Sequence, residues 1–235
     1  MKTAYYIIIL VIIVLIAGLI TSGNNKIVYL TIDDCASSNF KEKVDYLYDN
    51  NIPASFFCIG KLIEENQEDV VYAINKGYDI HNHSYSHNHF SDLNLEEITY
   101  EITKTDKLID EIYRLAGKER KNKYIRLPYG DKLYFKPEIN TSVQEIVKEL
   151  NYIKPNIKRL RFNLINNLYK QDIDLYWTYM TKEYKKDSGK VIKNLKNRLK
   201  TNGNELLVIH DHDNKAFFKI IDTLKESDVK VKALS

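Results

Sequence analysis

From residue 27 onward, short runs of β-branched and aromatic residues alternate with amphipathic segments, and this alternation limits the possible folds most strongly. Residues 27–32 have the length and composition of a buried strand, and residues 40–51 have the apolar spacing of a helix. Residues 54–60 and 61–76 repeat these two patterns. Strands that alternate with helices favour parallel β-α units. About seven such units fit in the rest of the chain, so we predict an α/β fold, a (β/α) barrel with about seven parallel strands.

The N-terminal segment differs in kind from the rest of the chain. Residues 4–20 contain no charged side chain and follow Lys2. The length of this run falls between a signal-peptide core, about 7–15 residues, and a membrane span of about 18 or more. We predict an anchor helix at residues 1–21 that contacts the membrane, then a linker at 22–26. A cleaved signal peptide is the alternative. Residues 27–235 are then either an extracytoplasmic domain anchored to the membrane or a secreted domain.

Charge narrows the range of partners. The formal net charge is +3 and 29% of the residues are charged, so acids and bases nearly cancel. This balance argues against nucleic acid as a partner, because such proteins carry a one-sided basic excess. Residues 153–171 interrupt the alternation and carry five Lys or Arg and no acid. We interpret this segment as an inserted surface loop, with a loop lining an extended groove as the alternative.

The chain has two cysteines, Cys35 and Cys58. Export would permit a disulfide between them. However, Cys58 lies in an apolar pattern typical of a buried strand, where an unpaired cysteine is the commoner outcome. We expect both thiols to be free.

Histidines are confined to two short stretches. Four of the six lie in residues 80–90, and the other two are His210 and His212. Imidazole is the commonest metal ligand in proteins, so this clustering predicts a metal site. His83 and His87 are four residues apart, and one helical turn would point both rings the same way. We expect the three remaining histidines, His81, His89 and His212, to be loop residues.

A carboxylate would complete this site. Asp33 and Asp34 follow the first predicted strand, and other polar clusters also follow strands, at the end where α/β barrels place their chemistry. Two histidines and one carboxylate make an open three-ligand site of the catalytic kind, and the second carboxylate is then available as a base. The residues alone do not decide which aspartate binds the metal. They also allow the facial triad of a non-haem iron oxygenase.

Four motifs in order resemble the polysaccharide deacetylases, carbohydrate esterase family 4, over residues 27–234. The sequence T-I-D-D resembles the family's T-F-D-D, and N-H-S-Y-S-H matches N-H-[ST]-x-x-H. The sequence R-L-P-Y-G resembles R-P-P-Y-G, and L-V-I-H-D resembles L-L-H-D. A fifth motif, W-D-V-D-S-x-D-W, fits best at residues 177–184, with residues 172–177 as the alternative register. The resemblance implies a distorted (β/α) barrel of seven or eight strands and a metal-dependent deacetylase.

The resemblance also implies a role for each matching residue. Asp34, His83 and His87 would bind a divalent metal, zinc in the first place, with cobalt, nickel or manganese as alternatives. Asp33 would be the general base and Arg126 its ion-pair partner.

The resemblance implies that His210 would be the general acid. Glu183 would raise the pKa of His210. The backbone N–H of Tyr129 would stabilise the oxyanion. The resemblance offers Tyr184 and Trp177 as an apolar wall, although we expect Trp177 to lie in the core.

Together these features imply a metal-dependent hydrolase that removes N-acetyl groups from a glycan containing N-acetylglucosamine, such as peptidoglycan or a chitin-type chain. The chain departs from the family pattern at Cys35, where glycine is usual, and at Glu183 and Tyr184, where aspartate and tryptophan are usual. These departures motivate the alternative of a weakly active or inactive, membrane-anchored relative that binds glycans.

Overall fold

The structure, a computed structural model, describes residues 26–157, 159–161, 164–168, 172–185, 187–212 and 214–235. The predicted anchor at 1–21 lies outside the described residues, as does the predicted linker except for Lys26. Within the described ranges, no helix is long and apolar enough to cross a membrane.

The described residues form one sheet of six parallel strands in the order β3-β2-β1-β5-β4, with β6 also paired to β1. The strands are β1 (Ile27–Cys35), β2 (Ser55–Cys58), β3 (Asp79–Asn82), β4 (Tyr179–Met180), β5 (Glu205–His210) and β6 (Lys230–Lys232). The helices are α1 (Phe40–Asp49), α2 (Gly60–Glu65), α3 (Gln67–Asn75), α4 (Leu95–Leu115), α5 (Pro137–Glu149), α6 (Leu164–Leu168), α7 (Ser188–Leu199) and α8 (Asn214–Lys225).

Strand β1 is the centre of the sheet. Its residues are buried from Val28 onward, which explains why the sequence reads as a continuous apolar run instead of alternating with polar residues. Strand β5 pairs along one edge of β1, and β6 and β2 share the other edge, β6 beside residues 27–29 and β2 from residue 31 onward. The carboxyl end of β1, which carries the two aspartates, therefore lies between the ends of β2 and β5.

The helices cover the outer face of this sheet. Helix α4 is the longest, and it begins at a capping box in which Asn94 accepts the N–H of Glu97 while the Glu97 carboxylate accepts the N–H of Asn94. Its buried side includes Ile98, Ile102 and Ile109. The large outer core contains apolar side chains from α1, α3, α7 and α8 packed against β1, β2 and β5.

The predicted count of about seven strands differs from the six that the structure describes. Residues 124–127 contribute only one bridge, between Ile125 and Asn82. Backbone hydrogen bonds still link this segment to the far edge of the sheet. Leu175 N–H donates to Ile125 O (2.8 Å), and Thr178 N–H donates to Leu206 O of β5 (3.0 Å). The interior of this distorted barrel is filled by Tyr29, Phe57, Tyr124, Leu175, Leu206 and Leu234.

The expectation of two free thiols was wrong. Cys35 and Cys58 form a disulfide, with their Cα atoms 4.3 Å apart. The two residues are direct partners in the β1–β2 register, so the pairing of the strands brings them together. The disulfide ties the carboxyl ends of these strands beside Asp34.

The segment at residues 153–171, predicted to be an inserted loop, is described only in part. Leu160 forms a parallel bridge with Asn204, and Arg161 N–H donates to Asn204 O (2.9 Å). Asn204 immediately precedes β5, so residues 160–161 lie at the amino end of that strand. Whether the segment lines a groove stays a prediction.

Candidate active site

The carboxyl ends of the strands surround a pocket of about 730 Å³. The predicted residues Asp33, Asp34, His83, His87 and His210 all line it. The other lining residues are Ile59, Leu127, Tyr129, Gly130, Tyr176, Trp177, Met180, Lys182, Tyr184 and His212. The topology thus brings together residues that are far apart in the sequence.

A strand irregularity lets both aspartates reach this pocket. Neighbouring residues of a regular strand point to opposite faces. The β1–β2 register shifts between Asp33 and Cys35, and Asp34 between them adopts a left-handed conformation with φ of 62°. Bulges of this kind re-aim side chains next to active sites.

Asp33 is buried and held by Arg126. The Nη1 atom of Arg126 donates to Asp33 Oδ1 (2.5 Å) and to Thr31 Oγ1 (3.0 Å), and Nε donates to Leu175 O (3.3 Å). Arg126 is completely buried, and its guanidinium lies 4.2 Å from the centre of the Phe57 ring. The other oxygen of Asp33, Oδ2, lies 3.9 Å from His83 Nε2 and faces the pocket.

Asp34, His83 and His87 converge on one point. Asp34 Oδ1 lies 3.3 Å from His83 Nε2 and 3.1 Å from His87 Nε2, and one ligand atom of each residue lies within 4.8 Å of the others. Despite this proximity, Asp34 Oδ1 is buried and makes no hydrogen bond to any residue that the structure describes. Two imidazole nitrogens and an orphaned carboxylate oxygen that face one another fit a divalent cation.

The loop that carries the two histidines is not the helical turn expected from their spacing. Ser84 and His87 have positive φ values of 64° and 60°, so residues 83–87 fold as a compact loop. Glu101 on α4 holds this loop, since its Oε2 accepts the N–H groups of Tyr85 and Ser86, both at 2.8 Å. Asn82 Oδ1 also accepts the Ser84 N–H (2.8 Å). The sequence interpretation missed Glu101, which lies in an ordinary amphipathic helix pattern.

The ring of His83 is set in one orientation. Its Nδ1 lies 2.8 Å from the backbone carbonyl oxygen of Arg126, which can only accept a hydrogen bond. Nδ1 therefore carries the proton, and the lone pair of Nε2 faces Asp34 and the convergence point. Such a backbone partner is the usual way in which a protein orients a metal-binding histidine.

His210 lies at the end of β5 and contacts Glu183. Its Nδ1 is 3.0 Å from Glu183 Oε1, and the same oxygen accepts the backbone N–H of His210. Thr181 Oγ1 donates to the other carboxylate oxygen. Burial alone would lower the pKa of His210, but the hydrogen bond and charge of Glu183 raise it above its ordinary value. These contacts support placing the fifth motif at residues 177–184.

Aromatic residues form one wall of the pocket. Trp177 is partly exposed and lines the pocket, contrary to the expectation that it lies in the core. Its ring stacks on Tyr176 with centroids 4.0 Å apart, and both rings press against Gly130. A Cβ at Gly130 would lie 2.5 Å from Trp177, so only glycine fits there. Tyr184 packs edge-on against His210, with centroids 4.9 Å apart.

Tyr129 lies next to this wall, and its backbone is in a left-handed conformation with φ of 58°. Its exposed ring stacks on His89 with centroids 3.7 Å apart. His89 is thus an exposed loop residue, as expected.

His81 lies in β3 and departs from its expected loop position, whereas His212 lies in a loop after β5, as expected. His81 is fully buried in the barrel between Phe57 and Tyr124, and neither ring nitrogen has a hydrogen-bond partner among the described residues. His212 is half exposed at the pocket, and its Nε2 lies 2.7 Å from Asp34 Oδ2. The spacing H-D-H could have suggested that His212 lies on the same side as His210, near the pocket. No residue pattern indicated its contact with Asp34.

Comparison with known proteins agrees with this geometry. The polysaccharide deacetylase family model matches residues 21–154. A peptidoglycan-N-acetylglucosamine deacetylase of Bacillus cereus is 37% identical over 109 residues, which cover 46% of this chain and 38% of that protein. A chitooligosaccharide deacetylase of Sinorhizobium fredii is 29% identical over 104 residues, which cover 44% of this chain and 46% of that protein. These matches span less than half the length of either relative.

The fold gives the same result. A family 4 carbohydrate esterase from Streptomyces lividans, solved in complex with acetate, superposes with a TM-score of 0.64 and 18% identity. The superposition covers 88% of this chain and 92% of that one. At this identity the likeness establishes the fold, while the family match covers more than half of the sequence. The chain belongs to the polysaccharide deacetylases, carbohydrate esterase family 4.

Proposed function

We propose that this protein is a metal-dependent hydrolase that removes N-acetyl groups from a glycan containing N-acetylglucosamine. One observation carries the proposal. The three donor atoms of Asp34, His83 and His87 converge in a pocket that also holds a buried aspartate and a histidine paired with a glutamate. Metal-assisted hydrolysis of an amide uses these components, a site for a cation, a base and an acid.

Asp34, His83 and His87 would hold the divalent cation, because their atoms suit zinc as well as cobalt, nickel or manganese. When bound, such a cation polarises the acetamide carbonyl and acidifies water. His83 keeps its Nε2 lone pair available through its bond to the Arg126 carbonyl. Arg126 therefore supports both the cation site, through its backbone, and Asp33, through its side chain.

Asp33 would act as the general base. Its Oδ1 is occupied by Arg126, which leaves Oδ2 for the proton of the attacking water. The guanidinium fixes the orientation of the carboxylate. We expect the Tyr129 N–H to donate to the carbonyl oxygen as negative charge develops on it.

His210 would act as the general acid. Its Nδ1 is engaged by Glu183, so the other ring nitrogen, Nε2, is the one that can give a proton to the departing amine. The amide C–N bond then breaks and yields acetate and a free amino group on the sugar. Because Glu183 raises the pKa of His210, the ring holds its proton to higher pH than an ordinary histidine would.

The substrate class rests on the relatives and on the pocket. The named relatives act on peptidoglycan N-acetylglucosamine and on chitooligosaccharides. Trp177, Tyr176 and Tyr184 give the pocket an aromatic wall suited to a sugar face or an acetyl methyl group. Peptidoglycan lies outside the cytoplasmic membrane, so this substrate would agree with the extracytoplasmic location predicted from residues 1–21. Contact with the membrane through that segment stays a prediction.

The test is acetate release by the full-length chain after removal of bound metal. N-acetylglucosamine oligomers and peptidoglycan are offered with zinc, cobalt, nickel or manganese restored one at a time. We expect release with at least one metal, and its loss in Asp33→Asn and in His83→Ala. Circular dichroism shows whether each variant is folded.

His89→Ala is the matched control for His83→Ala, because it removes an exposed histidine from the same loop without touching the convergence point. Metal binding without acetate release from any of these glycans would contradict the proposal and favour a glycan-binding relative. Activity that survives Asp33→Asn in folded protein would exclude the assigned base.

A further inference from the structure

The two oxygens of the Asp34 carboxylate are used differently. Oδ1 faces His83 and His87 and has no hydrogen-bond partner among the described residues. Oδ2 lies 2.7 Å from His212 Nε2. Since an ionised carboxylate only accepts hydrogen bonds, the His212 nitrogen must carry the proton in this contact. His212 thus binds one oxygen and leaves the other directed at the cation site.

The loop that carries His212 is fixed to the end of β1, which carries Asp34. Asp211, next to His212, donates its backbone N–H to Asp33 O (3.0 Å). Its carboxylate accepts the Ser37 N–H (2.7 Å) and pairs with the buried ammonium group of Lys43. Asp211 is completely buried. The position of His212 is therefore set by its neighbour Asp211, although about half of the His212 side chain is exposed to solvent.

We propose that His212 is a positioning residue for the cation site. By donating Nε2–H to Asp34 Oδ2, it holds the carboxylate so that Oδ1 alone is presented to the cation. This proposal rests on the cation site of the proposed function and adds to it a partner outside the three ligands. Partners that hydrogen-bond to metal ligands typically contribute about 10–100-fold to metal affinity.

The geometry favours this role over that of a fourth ligand. The cluster of donor atoms within 4.8 Å of one another contains Asp34, His83 and His87 but not His212. The Nε2 atom of His212 is already engaged by a carboxylate oxygen. A site with three protein ligands also keeps a position open for water or substrate, as catalytic sites do.

The test measures metal affinity rather than activity. Metal-free, full-length protein is titrated with Zn²⁺ against a competing chelator, and the dissociation constants of wild type, His212→Ala and His212→Gln are compared. We expect His212→Ala to bind Zn²⁺ about 10–100-fold more weakly. Glutamine places an N–H donor near the position of Nε2, so we expect His212→Gln to bind within about threefold of wild type, well short of that range.

His89→Ala is the matched control, because His89 is also a half-exposed histidine near the pocket but lies against Tyr129 and Asp131 instead of the three proposed ligands. Its Zn²⁺ affinity is expected to equal that of wild type. Thermal unfolding of the metal-free proteins shows whether each variant is folded. With Co²⁺, the visible absorption spectrum of His212→Gln is expected to match that of wild type, since no ligand is lost.

The possible outcomes separate this proposal from the proposed function. Unchanged Zn²⁺ affinity in His212→Ala would overturn the role of His212 while leaving the three-ligand site intact. Equal losses in His212→Ala and His212→Gln, with an altered Co²⁺ spectrum, would overturn it in favour of direct ligation. Failure of the wild-type protein to bind any of the metals would overturn the cation site itself, and this inference with it.

Discussion

The two ends of the barrel both bury charged side chains, but they use them differently. At the amino end of the strands, Lys26 Nζ lies 3.3 Å from Glu205 Oε1 and donates to the carbonyl oxygens of Arg198 (2.9 Å) and Thr201 (2.8 Å). Glu205 also accepts the hydroxyl of Thr178 (2.6 Å). A buried ammonium group and a buried carboxylate therefore pair at this end. Their hydrogen bonds connect β5 to Lys26 before β1, to the end of α7 and to Thr178 before β4.

At the carboxyl end, the polar groups are arranged around an open space. Asp34 Oδ1 is buried without a hydrogen bond to any described residue, and Asp34, His87 and Tyr129 have left-handed backbones. Orphaned polar atoms and left-handed residues each cost roughly 1–3 kcal/mol. The fold accepts these costs at the carboxyl end, where a cation and a substrate would bind, although that end also contains buried pairs such as Arg126 with Asp33. The comparison therefore assigns chemistry to one end and stability to the other.

Replacement of His210 should have the largest effect on activity. We expect His210→Gln to lower kcat by about 10²–10⁴-fold, because the leaving amine loses its proton donor. Zn²⁺ affinity should stay close to wild type, because His210 is not among the three proposed ligands. The measurement is acetate release at saturating substrate, with zinc titration of the same preparation. A loss of kcat below tenfold would remove His210 from the catalytic machinery.

Replacement of Glu205 should have the opposite profile. Glu205→Gln leaves Lys26 buried without its carboxylate partner, and we expect the free energy of unfolding to fall by about 3–5 kcal/mol. Activity per folded molecule should be unchanged, because the strand end that carries His210 is distant. Urea unfolding followed by fluorescence gives the free energy.

Glu111→Gln on α4 is the control for this prediction, since it removes the same charge from an exposed pair with Arg114. Its effect should stay within about 1 kcal/mol. If Glu205→Gln were as mild as Glu111→Gln, the amino end would not be the stabilising end, and the comparison of the two ends would fail.

The Cys35–Cys58 disulfide is a stabilising feature at the carboxyl end, where it joins β1 and β2 next to Asp34. Removing a cross-link between residues 23 apart should lower the free energy of unfolding by about 3 kcal/mol, so we expect this loss in the double variant Cys35→Ser, Cys58→Ser. Urea unfolding with and without a reducing agent gives the measurement. The reductant should destabilise wild type and leave the double variant unchanged. Equal curves for oxidised and reduced wild type would show that the bond contributes nothing.

Local patterns predicted the elements and the positions that carry motifs. Apolar runs marked β1, β2 and β5, because a strand that is buried on both faces consists of a nearly continuous run of apolar residues. The resemblance in motifs pointed to the three proposed ligands and also to Asp33, Arg126 and His210. The structure brings the proposed ligands, Asp33 and His210 to one pocket, and Arg126 pairs with Asp33. For these features the sequence order was sufficient.

Features that depend on register were not predictable in this way. The disulfide follows from Cys35 and Cys58 being partners across two strands, and the contact of His212 with Asp34 joins residues 178 apart. The loop at residues 83–87 was expected to be a turn of helix because spacing alone does not reveal that Glu101 binds its N–H groups. In each case the decisive partner lies elsewhere in the sequence and carries no pattern of its own.

The smallest predicted effect is a displacement of the pH profile, and it tests how the carboxyl end tunes its acid. Burial lowers the pKa of His210, but the hydrogen bond and charge of Glu183 raise it by more than burial lowers it. The net shift of the pKa is therefore upward. A general acid must be protonated, so kcat should be lost as the pH rises through this raised pKa. Glu183→Gln removes the raising charge, and the alkaline limb of the kcat profile should move to lower pH. Glu183→Asp keeps a carboxylate near His210, so its alkaline limb should move to lower pH by a smaller amount. An alkaline limb that stays in place in Glu183→Gln would mean that His210 is not the group whose proton limits the reaction, and the tuned acid would have to be sought elsewhere around the pocket.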